Sequence, residues 1–380
     1  RLGRVLAGPT GTAVAAALVA AFAACPLFGA VEVDGELLAL PFVIGGLGLV
    51  LTGRSARAWA AAGVLAVGAV SIKQNLADVA IAGGVVLVVR ALTRRPWWPD
   101  ALAFAGGAVA ALALLLAWAA WHGTSATGLW HAVVTFRTHA GPMIREAAPE
   151  ESVRHAWYLG YAFLGSGALA VVLAALVPSR RAPDSRRALT DLWAPTAAVL
   201  GWETLGVIVG GSYWLHYLIG MIPGLLLAAL AVALRRPRRV GWLAAGILTC
   251  VAVGATTWPL AGYARVYDRK VVAWLDANAR PGDTAVVAWG HAAILHDTGL
   301  RSPYPHLWSL PVRVRDPHLA RFTRLLSGPS APRWIIADHG RLTSWGIDGA
   351  GAERVLAARY DLIGAFGGWT VYERRTFVGG

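Results

Sequence analysis

Three short polar stretches interrupt an otherwise apolar sequence, and their side chains are the ones whose types and spacing could do chemistry. The first is Val31-Glu32-Val33-Asp34-Gly35-Glu36, a brief acidic link between two hydrophobic runs. A carboxylate at Asp34 or Glu36 could act as a general base, orient an acceptor hydroxyl or hold a metal ion. Equally, the same acids read as a solvated loop. The second is Lys73-Gln74-Asn75, at the end of another apolar run. A compact ammonium at Lys73 suits a phosphate oxygen, or else snorkels to lipid headgroups. The third, Gly211-Ser212-Tyr213-Trp214-Leu215-His216-Tyr217, lies at a further junction. Its aromatic residues match an interfacial belt, whereas His216 could hydrogen-bond a phosphate or a hydroxyl. Asp78 and Glu203 fall inside hydrophobic runs, where ionisable groups are costly; pairing within a bundle is the simplest account of them.

The elements that must position these residues follow from composition. Of 380 residues, 57% are apolar and only 14% charged, and mean hydropathy is +0.55. Soluble domains carry about a quarter charged residues, so a disordered chain, a coiled coil and an ordinary cytosolic enzyme are excluded. The pattern is that of a polytopic membrane protein. A span needs roughly 20 mostly apolar residues, and nine stretches qualify, near 10–30, 37–53, 58–72, 76–92, 101–121, 157–178, 192–210, 214–234 and 240–260.

Charge sorts these spans. Alternate gaps hold Arg1 and Arg4, Arg54 and Arg57, Arg90, Arg94 and Arg95, then two clusters at 180–187 and 235–239, 15 arginines in all. The opposite gaps before residue 262 hold only four cations and most of the acids, among them Glu32, Asp34, Glu36, Glu146, Glu150 and Glu151. The positive-inside rule then puts the N-terminus of this chain in the cytoplasm and residues after 262 outside. Of the formal net charge of +13, residues 1–261 supply +8 and the remainder +5. The excess is mainly a topology signal, and no nucleic-acid partner is expected. Cys25 and Cys250 make no disulfide framework. No zinc spacing is present, the histidines of the 122–156 loop (His122, His131, His139 and His155) included.

The domain reading is thus a multi-span unit over 1–261, with an outside loop at 122–156, followed by an extracytoplasmic α/β domain over 262–380. Within the loop, Leu129, Ala132, Val133, Phe136 and Ala140 share one helical face beside Trp130, the pattern of a helix lying in the membrane interface. In the tail a helical pattern over 265–279 meets the turn Arg280-Pro281-Gly282-Asp283. Strands are expected at 284–289, 333–338, 361–366 and 369–374, with helices near 316–327 and 349–359.

Taken in order, these motifs resemble the bacterial branch of the GT-C membrane glycosyltransferases, the protein-mannosyltransferase-like and aminoarabinose-transferase-like family (glycosyltransferase family 39 and relatives). The resemblance covers nearly the whole chain. It rests on Asp34-Gly35-Glu36-Leu37-Leu38-Ala39 opening a span and on Lys73-Gln74-Asn75 before the next hydrophobic run. It rests also on Gly211, His216, Tyr217 and Pro223 against a Gly-Arg-Phe-Tyr-x-His-Tyr pattern, and on a tail with Pro281-Gly282-Asp283, Trp289-Gly290 and Arg333-Trp334-Ile335-Ile336-Ala337-Asp338. Ser212 stands where the family has Arg, and Trp214 replaces an aromatic.

The resemblance implies inverting transfer of a sugar from a polyprenyl-phosphate donor to a glycan, lipid or protein acceptor at the outer face of a bacterial plasma membrane. It implies donor-phosphate contacts from Lys73, Gln74, Tyr213, His216 and Tyr217, with Asp34 and Glu36 as supporting acids. No cofactor is assigned; a divalent metal remains open. Family members begin with two further spans enclosing a loop that holds the catalytic base. Because the chain begins at Arg1, the expectation is that these spans and that base are missing and that this fragment is inactive alone. Two other classes stay open: a transporter or flippase, whose hallmark is inverted repeats and midplane charges, and a polymerase or ligase of envelope polysaccharide.

Overall fold

The computed structural model describes residues 2–29, 34–147, 149–177, 186–235, 237–260 and 268–375. Glu32 of the acidic link, Arg1, Arg180, Arg181 and Arg236 of the charge pattern, and the 261–267 junction lie outside the described residues. The chain is 72% helical with a small sheet, and its contacts divide it into two units. One comprises Arg1–His131 with Glu150–Ala264, and the other Ala132–Pro149 with Arg265–Gly380.

The first unit contains α1 (Leu2–Ala23), α2 (Gly35–Thr52), α3 (Ala56–Ile72), α4 (Asp78–Leu92), α5 (Trp98–Trp121), the short α6 (Ala126–Trp130), then, beyond the segment that joins the second unit, α8 (Pro149–Gly165), α9 (Ala168–Leu176), α10 (Arg186–Gly210), a 3₁₀ segment (Leu215–Met221), α11 (Ile222–Arg235) and α12 (Pro237–Leu260). Each of the nine expected apolar stretches lies mostly on helix. Among the described residues, four helices rather than nine are long and apolar enough to cross a membrane: Gly35–Thr52, Trp98–Trp121, Leu192–Gly210 and Leu215–Arg235. A fifth candidate is the pair α8 and α9, bent by 65°, where the sequence predicts one straight run over 157–178. The bend sits at Ser166–Gly167, and Gly167 adopts φ +80°, a left-handed conformation that breaks the helical ladder.

Helix α11 is the spine of this unit. Every residue from Ile222 to Ala233 is buried, as befits a helix that is apolar all round. One side, with Ile222, Leu225, Ala228 and Val232, packs with Leu18 and Phe22 of α1 and Val171 of α9. The other, with Leu226, Leu227 and Leu230, joins Leu47 of α2, Trp59 of α3 and Val79 of α4. Helix α5 is the opposite case: Gly107 and Ala119 alone are buried among its residues, and Leu102, Leu114 and Trp121 are 63%, 73% and 88% exposed. An apolar helix so bare is matched to a hydrocarbon solvent. It holds to α3 by backbone proximity, since a Cβ at Gly107 would collide with the backbone of Ala60.

In the second unit, β1 (Ala285–Ala288), β2 (Trp334–Asp338), β3 (Tyr360–Phe366) and β4 (Trp369–Arg374) form a sheet in the order β1-β2-β4-β3. The β1–β2 pair is parallel, and the other two pairs are antiparallel with a bulge at Leu362/Gly364. Strands β1 and β2 are buried except for Asp338 at the end, consistent with their unbroken apolar runs. Helices α13 (Asp268–Asn278), α16 (Ala320–Ser327) and α17 (Ala350–Arg359) match the helical patterns in the tail. Two short helices, α14 (Ala293–Thr298) and α15 (Ser309–Arg315), have too few residues to show a period.

The interfacial helix expected in the 122–156 loop is corrected in part. Helix α7 (Phe136–Ala147) buries Ala140 and Ile144 against Leu310, with Phe136 and Val314 alongside. The apolar face is therefore covered by the chain's own α15. Before α7, Trp130 and Val133 are exposed, at 61% and 37%, and so is Ala132.

Arg333 closes one end of the sheet, donating to Asp283 at 3.0 Å and to Glu373 at 2.7 Å. Burial raises the Asp283 carboxyl, but the Arg280 amide, the Trp334 indole and Arg333 outweigh it, so the group sits below its ordinary value of 3.8. A depressed carboxyl adds stability that is whole above its unfolded value and is lost as pH falls through the folded one. The melting temperature should therefore fall as pH drops below about 4, and Asp283→Asn should reduce that dependence. Calorimetric scans across acid pH measure it; parallel curves for the two proteins would refute the assignment.

Candidate functional site

The acidic link, the lysine and the late aromatic motif come together in the first unit. Asp34 caps α2, its carboxylate accepting the Leu37 amide at 2.9 Å, the arrangement that Asp favours at a helix N-terminus. Two residues on, Glu36 points inward and is 1% exposed at its side chain. Lys73 follows the last turn of α3; its amide closes that helix on Ala69, and its backbone then turns extended. The Lys73 ammonium forms an ion pair with Glu36 and lies 4.9 Å from the Tyr217 ring centroid, a cation–π distance. Tyr217 in turn meets the His216 ring edge-on, centroids 5.1 Å apart.

Local sequence explains the approach. Gly29, at φ +72°, faces His216 so closely that a Cβ there would stand 2.8 Å from the His216 amide nitrogen. Glycine at this turn thus lets the segment before α2 reach the 3₁₀ segment. The aliphatic stem of Lys73 lies over Gly35, where a Cβ would make an ordinary contact with it at 3.4 Å. A left-handed pair, Gly211 at φ +70° and Tyr213 at φ +50°, breaks the chain sharply between α10 and the 3₁₀ segment.

The expected site residues thus divide by position. Glu36, Lys73, His216 and Tyr217 form one cluster. Asp34 stands one turn-start away with one oxygen engaged in capping. Gln74 follows Lys73 and is exposed. Tyr213 sits at the break, its hydroxyl donating to the Ile208 carbonyl at 3.3 Å. Ser212, in the position of the family's Arg, is buried. His155 was legible only as one histidine of a loop; here its ring packs tilted against Trp214, centroids 4.5 Å apart, and its Nδ1 is 3.1 Å from the Ser212 carbonyl. Its 57 residues of separation from Ser212 leave no sequence signal.

No family model, no curated protein and no solved structure matches the chain.

A second acidic pair lies deeper. Asp78 opens α4 fully buried, and Glu203 of α10 accepts the Gly224 amide at 2.8 Å, satisfying an N-terminal donor of α11. Both carboxyls are buried in the bundle, and both Asp78 oxygens and Glu203 Oε2 have no hydrogen-bond partner among the described residues. Among the described residues, no group of three or more His, Cys, Asp and Glu side chains is arranged to hold a metal ion.

What the cluster can do follows from charge. A carboxylate as buried as Glu36 is stable only beside a cation, and Lys73, 26% exposed, supplies it. The ammonium has three N–H donors, so it can serve Glu36 and an incoming anion together. Lys73→Met should destabilise the protein by up to about 3 kcal/mol, because Glu36 is then buried unpaired, while Lys73→Met with Glu36→Leu should recover most of the loss. Thermal melts of the four proteins of this double-mutant cycle decide it; additive losses would mean that the two side chains are independent.

Proposed function

We propose that the chain belongs to a GT-C-type glycosyltransferase, moving a sugar from a polyprenyl-phosphate donor to a glycan, lipid or protein acceptor at the outer face of a bacterial plasma membrane. In this reading the nine helical stretches are spans, the N-terminus of the chain is cytoplasmic and the sheet unit is extracytoplasmic. One observation carries the proposal: an ammonium, an imidazole and a phenol gather beside a buried carboxylate where three helical segments begin or end. The ordered resemblance of the surrounding motifs supports it.

The chemistry suits such a cluster. An acceptor hydroxyl attacks the anomeric carbon opposite the phosphate, so a C–O bond to the acceptor forms as the C–O bond to phosphate breaks. The bonding pair leaves with the polyprenyl phosphate, and the hydroxyl proton passes to a carboxylate base. Lys73 neutralises the charge that grows on the departing phosphate, and His216 and Tyr217 add hydrogen bonds where it develops. Glu36 keeps the lysine in place, and Asp34 stands at the acceptor side as a supporting acid. Gln74 and Tyr213 complete the donor contacts.

A transporter or flippase is the second reading, favoured by the broken pair α8 and α9, since transporters build sites on discontinuous helices. Membrane vesicles holding the full-length protein and a labelled polyprenyl-phosphate sugar separate the two. Transfer is expected, and Lys73→Ala with His216→Ala should cut it by about a hundredfold or more. Unchanged transfer in that variant overturns the phosphate assignment. Counterflow of the lipid with no glycosylated product replaces the transferase by the transporter.

A further inference from the structure

The second unit carries a cleft of about 750 Å³ at the carboxyl ends of its two parallel strands. In sheets with parallel strands, that end is where ligands are received, and the volume is that of a small-molecule site. Its walls are the loop after β1, the loop after β2 and the β3–β4 turn. Each of the first two loops holds a histidine in the left-handed region, His291 at φ +52° and His339 at φ +46°. Non-glycine residues seldom adopt this conformation, and where they do it often serves a site.

Neighbouring groups brace the walls. The Asp268 carboxylate accepts from the Trp369 indole at 3.0 Å and bonds His291 Nδ1 at 3.0 Å. That leaves His291 Nε2 as the ring's remaining polar atom. Glu353 accepts the amides of Leu342 and Thr343, both at 2.9 Å, and so fixes the loop that carries Arg341. The Trp289 indole donates to the Leu342 carbonyl at 2.7 Å.

From these observations we propose that the cleft binds a sugar bearing an anionic group, a sugar phosphate or a uronic acid. Trp289, half-buried, supplies an apolar surface against which a pyranose ring can lie, while Trp369 is buried in the wall behind His291. His291, His339 and Ser344 supply donors and acceptors for its hydroxyls. Arg341, whose planar fork fits two oxygens of a phosphate or carboxylate, takes the anion. Asp338 is the one acid lining the cleft; it accepts a sugar hydroxyl. The inference goes beyond the transferase reading and rests only on the second unit.

Titration calorimetry of the full-length protein in detergent tests it, with glucose 1-phosphate, glucuronate, glucose and inorganic phosphate as probes. At least one anionic sugar should bind about tenfold or more tightly than either glucose or inorganic phosphate. Arg341→Gln should weaken that binding by about tenfold, and His339→Gln should weaken it also. The phosphate and carboxylate arms tell which anion the cleft prefers. Absence of saturable binding by any probe overturns the proposal. So do equal affinities for phosphate and the sugar phosphate, or binding that survives both cleft variants. Melting curves that match wild type certify each variant, and His339→Gln stands in if Arg341→Gln fails to fold.

Discussion

A carboxylate shut away from water has to be matched by a cation that can reach it, and Glu36 imposes that demand on the helical unit. The partner is Lys73, 37 residues further along the chain. For the pair to form, α2 must begin where α3 ends, and the aliphatic stem of the lysine must lie over Gly35. The Tyr217 ring then covers the ammonium from the 3₁₀ segment. Three elements thus meet on one charge, held there by four local devices: a cap at Asp34, an extended residue at Lys73, a close approach at Gly29 and a left-handed break at Gly211 and Tyr213.

Around that point the bundle is graded by solvent. Helix α11 is enclosed on all sides and shows small and branched apolar residues in every direction. Helix α5 shows the same residue types to the outside. In water such a gradient would be unstable, because exposed leucine and tryptophan gain nothing there; in hydrocarbon the two helices differ little in cost, and packing alone ranks them. The close backbone contact of α5 with α3 at Gly107 belongs to this regime, in which small residues replace burial as the adhesive.

Much of the architecture was legible in the residues. Apolar length located the helices of the first unit, and unbroken apolar runs such as Val286–Ala288 and Trp334–Ala337 located the buried strands. The cluster was readable as three separate motifs, because an ammonium or an imidazole at the end of an apolar run is conspicuous. Its assembly was not, since the contact between Gly29 and His216 depends on backbone shape, not on residue type. The bend between α8 and α9 was hidden for a related reason: Ser166-Gly167 inside an apolar run changes hydropathy little while one left-handed residue redirects the chain. The amphipathic face of α7 was visible, but periodicity marks only that a face will be covered. It does not say whether lipid or protein covers it, and Leu310 lies 166 residues beyond Ile144.

That last contact bears on the order of events at the ribosome. The chain visits the sheet unit twice, once through Ala132–Pro149 and again from Arg265 onward. Synthesis runs from the N-terminus, so α7 emerges with Phe136, Ala140 and Ile144 uncovered and remains so until α15 has been made. For that interval its stripe is an apolar surface that its own chain has not yet covered. The closing of this long loop is therefore an entropic step that the finished sheet unit must overcome late.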